Sequence, residues 1–303
     1  MDKASKLAKR HCMFTLFSAL AVLICVCIGV TMNLTTIYDE NFDHMGIRTF
    51  CMFTVLSNIL CAMAMALIIP YAVDGLRKHN FHVPRWAMVM ALSGVTATTL
   101  TFLVSLCILA PFKGFVLIFS GSRFFLHGVC PIVAIIAFCF FMTEQKLTIR
   151  NSLIALIPVF IYSAVYTVMV IVIGEENGGW NDFYGFFTHL PVWVPLAAIL
   201  PITFVIATVL RLVHNRSYNE RLNEEAVFFA QFFKDADLPE IIGVMARFHK
   251  KNSRERDIVV PGRMIGIMVD NNSGNTSWEE LCSIYLKEYL ASDEVMDIQK
   301  LWI

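Results

Sequence analysis

Long apolar stretches separated by short polar segments dominate the first two thirds of the chain. Each stretch is close to the ~20 residues that an α-helix needs to cross a bilayer. The six stretches lie at about residues 12–32, 48–72, 86–110, 121–142, 151–173 and 190–211. The pattern predicts an all-α polytopic membrane protein with six transmembrane helices.

Residues 214–303 have a different pattern, typical of a small soluble domain. An apolar stripe in residues 218–236 predicts a helix, and the capping-box pair Ser277 and Glu280 predicts another one further along. Two apolar runs flank the dipeptide at 261–262, Pro-Gly, which is typical of a turn. The chain therefore divides into a six-span membrane domain, residues 1–213, and a small α+β tail, residues 214–303.

The charged residues indicate which side of the membrane each end occupies. Most of the basic residues in the membrane domain, among them Arg10, Arg77 and Arg150, fall at one end of the predicted spans. Acidic residues such as Glu175 and Glu176 fall at the other end. Cytoplasmic loops carry an excess of Lys and Arg. We therefore expect both termini, and the tail, on the cytoplasmic side.

Composition excludes several classes of function. Hydrophobic residues make up 57% of the chain and charged residues 16%, against roughly 25% charged residues in an ordinary soluble domain. The 24 basic residues balance the 24 acidic ones, which leaves no net charge to attract a polyanion. A soluble enzyme, a disordered scaffold and a nucleic-acid binder are therefore excluded. The nine cysteines show no C-x-x-C spacing, and we expect neither a metal nor a cofactor.

Polar side chains inside the predicted spans are candidates for function, because their burial in lipid is costly. Thr54, Ser57 and Asn58 lie in the second span, and His127 lies in the fourth. Counted from the outer side, Thr54 and His127 are each about six or seven residues into their spans, or ~10 Å at 1.5 Å per residue. The two side chains are therefore predicted at the same depth on different helices.

This arrangement has a chemical interpretation and a structural one. An imidazole can remove the proton of a threonine hydroxyl, which makes Thr54 a candidate nucleophile and His127 a candidate base. Ser57 and Asn58 can then donate hydrogen bonds to an oxyanion. Buried Thr, Ser and Asn side chains also hydrogen-bond within and between helices without any catalytic role. A site ~10 Å below the surface suits the ester of an acyl chain.

The strings Phe53-Thr54-x-x-Ser57-Asn58 and His127-x-x-x-Pro131 resemble the androgen-induced-gene family and its bacterial six-span relatives. Animal members of that family are intramembrane threonine hydrolases that cleave fatty acid esters of hydroxy fatty acids. The resemblance implies hydrolysis of a lipid ester, with the nucleophile at Thr54 and a partner histidine at His127. It covers the first 211 residues or so, and the long charged tail has no counterpart in the animal members.

Residues near the outer surface are candidates for positioning the substrate. Arg48 or Arg123 can hold a lipid carboxylate at the interface. The string that contains Trp180, Asp182 and Tyr184 resembles the aromatic outer loop of the bacterial relatives. Such aromatic residues form either an interfacial belt or a lid over the site.

Two alternatives remain open at this point. Cys51 and Cys130 lie three residues from Thr54 and His127 respectively, and a cysteine beside an imidazole would favour an acyltransferase. The other alternative is a non-enzymatic membrane binder, transporter or scaffold whose tail docks a cytoplasmic protein partner. No internal repeat supports a transporter. For the hydrolase and for the acyltransferase, the expected partner is a lipid or acyl-ester substrate.

Overall fold

Six helices that are long and apolar enough to cross a membrane make up most of the structure. The computed structural model describes residues 3–35, 46–78, 83–189, 191 and 193–235. Within these ranges no residue forms a β-strand. The helices are α1 (Lys3–Thr35), α2 (Phe53–Lys78), α3 (Arg85–Lys113), α4 (Gly121–Phe141), α5 (Ile149–Ile173) and α6 (Trp193–Asp235). The prediction of a six-span, multi-pass membrane protein is confirmed at this level.

Two helix boundaries differ from those expected from hydropathy. Residues Gly46–Cys51 form a separate 3₁₀ helix, so α2 begins at Phe53. Thr54 is therefore the second residue of α2 and not seven residues inside it. At the other end, α6 runs without a break through residues 213 and 214, where the sequence suggested a domain boundary. The predicted α+β tail beyond residue 235 lies outside the described residues.

Local sequence explains where several helices begin and end. Pro84 caps the start of α3 in an extended conformation. A capping box between Thr148 and Asn151 begins α5, which satisfies backbone N–H groups that the first turn leaves unpaired. Gly114 and Gly174 follow the ends of α3 and α5 with φ values of 96° and 71°. Glycine adopts positive φ at little cost, which allows the chain to leave the helix there.

Helices α2, α3 and α4 form the packed centre of the bundle. Half of the apolar window of α3 is buried, and small side chains on it permit close helix contacts. At Gly94, an added Cβ atom would lie 2.7 Å from the backbone Cα of Cys61 on α2. By contrast, only 11% of the corresponding window of α5 and 24% of that of α6 are buried. These two helices therefore present broad apolar faces outward, as expected for contact with lipid.

Hydrogen bonds to backbone groups fix α6 against the segment that joins α4 to α5. The ring nitrogens of His214 lie 3.0 Å from the carbonyl oxygen of Phe138 and 2.9 Å from that of Gln145. The side chain of Asn215 both accepts from the backbone N–H of Leu147 at 2.9 Å and donates to its carbonyl at 2.8 Å. Both side chains are buried. The middle of α6 is thereby held in a fixed register.

Candidate functional site

A cavity lies between α2, α3, α5 and α6, next to the outward-facing surfaces of the last two helices. Its volume is about 70 Å³ when only positions open to the centre of a water molecule are counted, and about 670 Å³ when all the space at its open mouth is included. Aliphatic and aromatic side chains form most of its wall, with hydroxyl groups among them. The lining residues are Phe53, Thr54, Leu100, Thr101, Val104, Ser105, Leu109, Val159, Tyr162, Ser163, Tyr166, Thr167, Tyr184, Phe186, Phe187, Pro195 and Ile199. An apolar lining with a few polar groups is typical of a small-molecule site.

Hydroxyl groups gather where the cavity meets the start of α2. The Tyr184 hydroxyl accepts a hydrogen bond of 2.9 Å from the backbone N–H of Phe53. The side chains of Thr54 and Tyr162 lie next to the same hydroxyl. Tyr162 in turn donates to the carbonyl oxygen of Cys51 at 2.8 Å. We call Thr54, Tyr162 and Tyr184 the hydroxyl cluster.

The loop before α6 forms an aromatic wall, and hydrogen bonds to the Asp182 carboxylate hold this loop in place. Asp182 accepts hydrogen bonds from the backbone N–H groups of Phe186 at 3.1 Å and Phe187 at 2.8 Å. It also accepts one from the Tyr166 hydroxyl at 2.7 Å. Trp180 packs against Tyr166 with ring centroids 6.2 Å apart. Asp182 therefore couples the loop to α5, and this loop supplies Tyr184, Phe186 and Phe187 to the cavity.

Burial raises the pKa of the Tyr184 phenol above its ordinary value. The phenol is therefore neutral at physiological pH. A neutral phenol donates a hydrogen bond but does not remove a proton from Thr54. In this arrangement the Thr54 hydroxyl is a positioned polar group beside the cavity.

Ser57 and Asn58 support the turn that carries Thr54, and neither lines the cavity. The Ser57 hydroxyl donates a hydrogen bond of 3.1 Å to the Thr54 carbonyl and shares one of 3.0 Å with the Thr101 hydroxyl. The Asn58 amide donates to the Thr54 carbonyl at 2.7 Å and to the Leu126 carbonyl on α4 at 3.0 Å. Asn58 thus joins the turn that bears Thr54 to the residue immediately before His127.

His127 lies in a turn of α4, Phe124–Val129, whose hydrogen bonds have π-helical spacing. Such turns are frequent at functional sites. The side chain is buried, with its Nδ1 atom 3.1 Å from the carbonyl oxygen of Ile118 and its ring edge-on to Phe119. Among the described residues, no hydrogen bond joins His127 to Thr54, and His127 does not line the cavity. The Thr54–His127 catalytic pair stays a prediction.

The remaining candidates lie outside the cavity wall. Arg48 is exposed, and neither Arg48 nor Arg123 lines the cavity. Cys51 contributes its backbone carbonyl to the hydroxyl cluster through Tyr162. Cys130 is buried in the packed centre of the bundle. Neither cysteine lines the cavity, so the geometry lends no support to the acyltransferase alternative.

Three side chains of the site were not singled out by the sequence. Tyr162 and Tyr166 lie one turn apart on α5, and Ser163 lies beside them in the cavity wall. The Ser163 hydroxyl is buried and has no hydrogen-bond partner. The available signal was the spacing of two tyrosines by four residues within an apolar span, which places both phenols on one helix face.

Within the part of the chain that the structure describes, no group of three or more His, Cys, Asp or Glu side chains is placed to hold a metal ion. Comparison with known proteins gives no match, whether to a family model, a curated protein or a solved structure. The resemblance to the androgen-induced-gene family therefore stays an expectation from the sequence motifs.

Proposed function

We propose that the protein binds the acyl chain of a lipid ester inside the membrane, in the cavity between α2, α3, α5 and α6. The observation that carries this proposal is the combination of an apolar wall with one hydroxyl cluster, Thr54, Tyr162 and Tyr184. An apolar wall suits an acyl chain because close packing of the wall against the methylene groups is favourable through dispersion. The hydroxyls offer donors to a carbonyl oxygen at the end of that chain.

The proposed orientation places both termini in the cytoplasm. In the described part of the chain, Arg10, Arg77 and Arg150 lie at or near the helix ends that we assign to the cytoplasm, and Glu175 and Glu176 lie at the opposite end. The excess of positive charge in cytoplasmic loops supports this assignment. It places the hydroxyl cluster toward the outer face and the tail inside the cell. Docking of a cytoplasmic protein by that tail stays a prediction.

Acyl-chain binding can be tested with a photoactivatable fatty acid methyl ester and the full-length protein in lipid nanodiscs. Val104→Trp fills the cavity, whereas Leu103→Trp places the same ring on an exposed face of the same helix. We expect saturable crosslinking of cavity residues in the wild type and in Leu103→Trp, and its loss in Val104→Trp. Equal labelling of the two tryptophan variants would contradict the proposal.

Hydrolysis of the bound ester is a second candidate function, and the position of Thr54 in the cavity wall favours it. In the proposed reaction the Thr54 oxygen attacks the ester carbonyl while His127 takes the hydroxyl proton. That proton passes to the departing alkoxide as the ester C–O bond breaks, leaving an acyl-threonine. Water then attacks the acyl carbon, releases the free acid and returns the proton to Thr54. Because Nδ1 of His127 faces the Ile118 carbonyl oxygen, Nε2 is the nitrogen that acts as the base, and the reaction requires Nε2 to come within hydrogen-bond reach of the Thr54 hydroxyl.

Labelling with a fluorophosphonate probe tests the hydrolase function separately from binding. Thr54→Val and His127→Ala are compared with Thr167→Val, which changes another threonine of the cavity wall. If the protein is a hydrolase, we expect the probe to add its mass to Thr54. This labelling should be lost in Thr54→Val and His127→Ala and retained in Thr167→Val. Absence of labelling in a protein that still crosslinks the lipid ester would leave binding as the function.

A further inference from the structure

We infer that the head group bound in the cavity is uncharged, so that neutral esters such as methyl esters or acylglycerols bind and ionised fatty acids do not. This inference rests on the proposed function and adds the chemical class of the ligand. It departs from the sequence expectation that Arg48 or Arg123 holds a lipid carboxylate. The observations that carry it are the chemistry of the cavity wall and one unpartnered hydroxyl.

Among the described residues, 17 line the cavity, and none of them is Lys, Arg, His, Asp or Glu. Eight of them are Ser, Thr or Tyr, and the rest are apolar. An ionised carboxylate moved from water into such a wall would lose its hydration without gaining a cation, at a cost of several kcal/mol. An ester carbonyl needs only hydrogen-bond donors, and the hydroxyl cluster contains them.

Ser163 supplies a donor that the protein itself does not use. Its hydroxyl is buried in the cavity wall without a hydrogen-bond partner. A buried polar group without a partner is costly, and a ligand acceptor would remove that cost. The ester oxygens of a bound lipid provide such an acceptor. Ser163 is therefore proposed as a ligand-binding residue on α5.

The test is competition against the photoactivatable methyl ester in nanodiscs, at a pH above and a pH below the pKa of the competing fatty acid. We expect methyl oleate to compete equally at both pH values, because burial keeps the Tyr184 phenol neutral. Oleic acid should compete only at the lower pH, where its carboxyl group is protonated. Ionised oleate that competes as well as methyl oleate would overturn the inference.

Two variants isolate the role of the unpartnered hydroxyl. Ser163→Ala should weaken competition by methyl oleate roughly two- to tenfold, the value of one hydrogen bond of about 0.5–1.5 kcal/mol. Thr96→Val is the matched control, because the Thr96 hydroxyl is also buried and unpartnered but lies outside the cavity lining. Equal effects of the two changes would refute a ligand contact at Ser163. If the probe does not crosslink at all, the proposed lipid binding fails, and the head-group inference fails with it.

Discussion

Replacement of Gly94 by alanine tests the close contact between α2 and α3 that forms one side of the site. A Cβ atom at this position would lie 2.7 Å from the Cα atom and 3.0 Å from the backbone nitrogen of Cys61. Carbon atoms in contact are ordinarily ~3.5–4.0 Å apart. The obstructing atoms belong to the backbone, so no side-chain rotation relieves the overlap. The two helices must separate locally by about 1 Å.

The expected destabilisation follows from two opposing terms. Overpacking costs about 1–3 kcal/mol, and alanine returns at most about 1 kcal/mol relative to glycine in a helix. A mid-range cost of about 2 kcal/mol, offset by at most about 1 kcal/mol, leaves a net loss of about 1–2 kcal/mol. This loss corresponds to a melting temperature lower by roughly 2–8 °C for a chain of this size. Gly128→Ala is the matched control, because its Cβ atom would meet Phe119 at an ordinary distance of 3.5 Å. This variant should melt at or slightly above the wild-type temperature.

Thermal unfolding in detergent, followed with a dye that fluoresces on reaction with thiols, measures both variants. Cys61 lies at the contact itself and is fully buried in the folded protein. In a background in which the other eight cysteines are replaced by serine, its reaction reports separation of α2 and α3. A Gly94→Ala protein that melts with or above the wild type would refute the proposed contact. Equal losses in the two variants would show that glycine is needed for another reason.

Three further predictions concern hydrogen bonds of the described residues. Asp182→Asn weakens the acceptor for two backbone N–H groups and the Tyr166 phenol, so saturable lipid crosslinking should fall several-fold. Unchanged crosslinking would contradict the role of Asp182 in shaping the cavity. Asn58→Asp places an acceptor opposite the Leu126 carbonyl, so the free energy of unfolding in the thiol assay should fall by about 2 kcal/mol or more. A variant that melts at the wild-type temperature would refute the hydrogen bond between α2 and α4. Asn215→Leu leaves the buried backbone N–H and C=O of Leu147 unpaired, so the free energy of unfolding should fall by about 2 kcal/mol or more. An unchanged melting temperature would contradict this prediction.

The sequence located the membrane helices better than it located the site. Apolar length is a local property, and all six predicted spans coincide with helices of the structure. The start of α2 was misplaced, because the residues before Phe53 are apolar enough to extend the span yet fold as a separate 3₁₀ helix. This shift moved Thr54 from the interior of the predicted span to the first turn of the helix.

The sequence by itself determined the class of the protein, the number of its apolar helices and the small set of polar residues within them. These features depend on residue type and on spacing along the chain, and both can be taken from the sequence through hydropathy and helical periodicity. Which side chains meet was decided by tertiary structure alone. Thr54 lies next to Tyr184, from a loop 130 residues away, and His127 lies against Ile118. The direction of a side chain within a bundle depends on how each helix is rotated against its neighbours, and neither hydropathy nor spacing specifies that rotation.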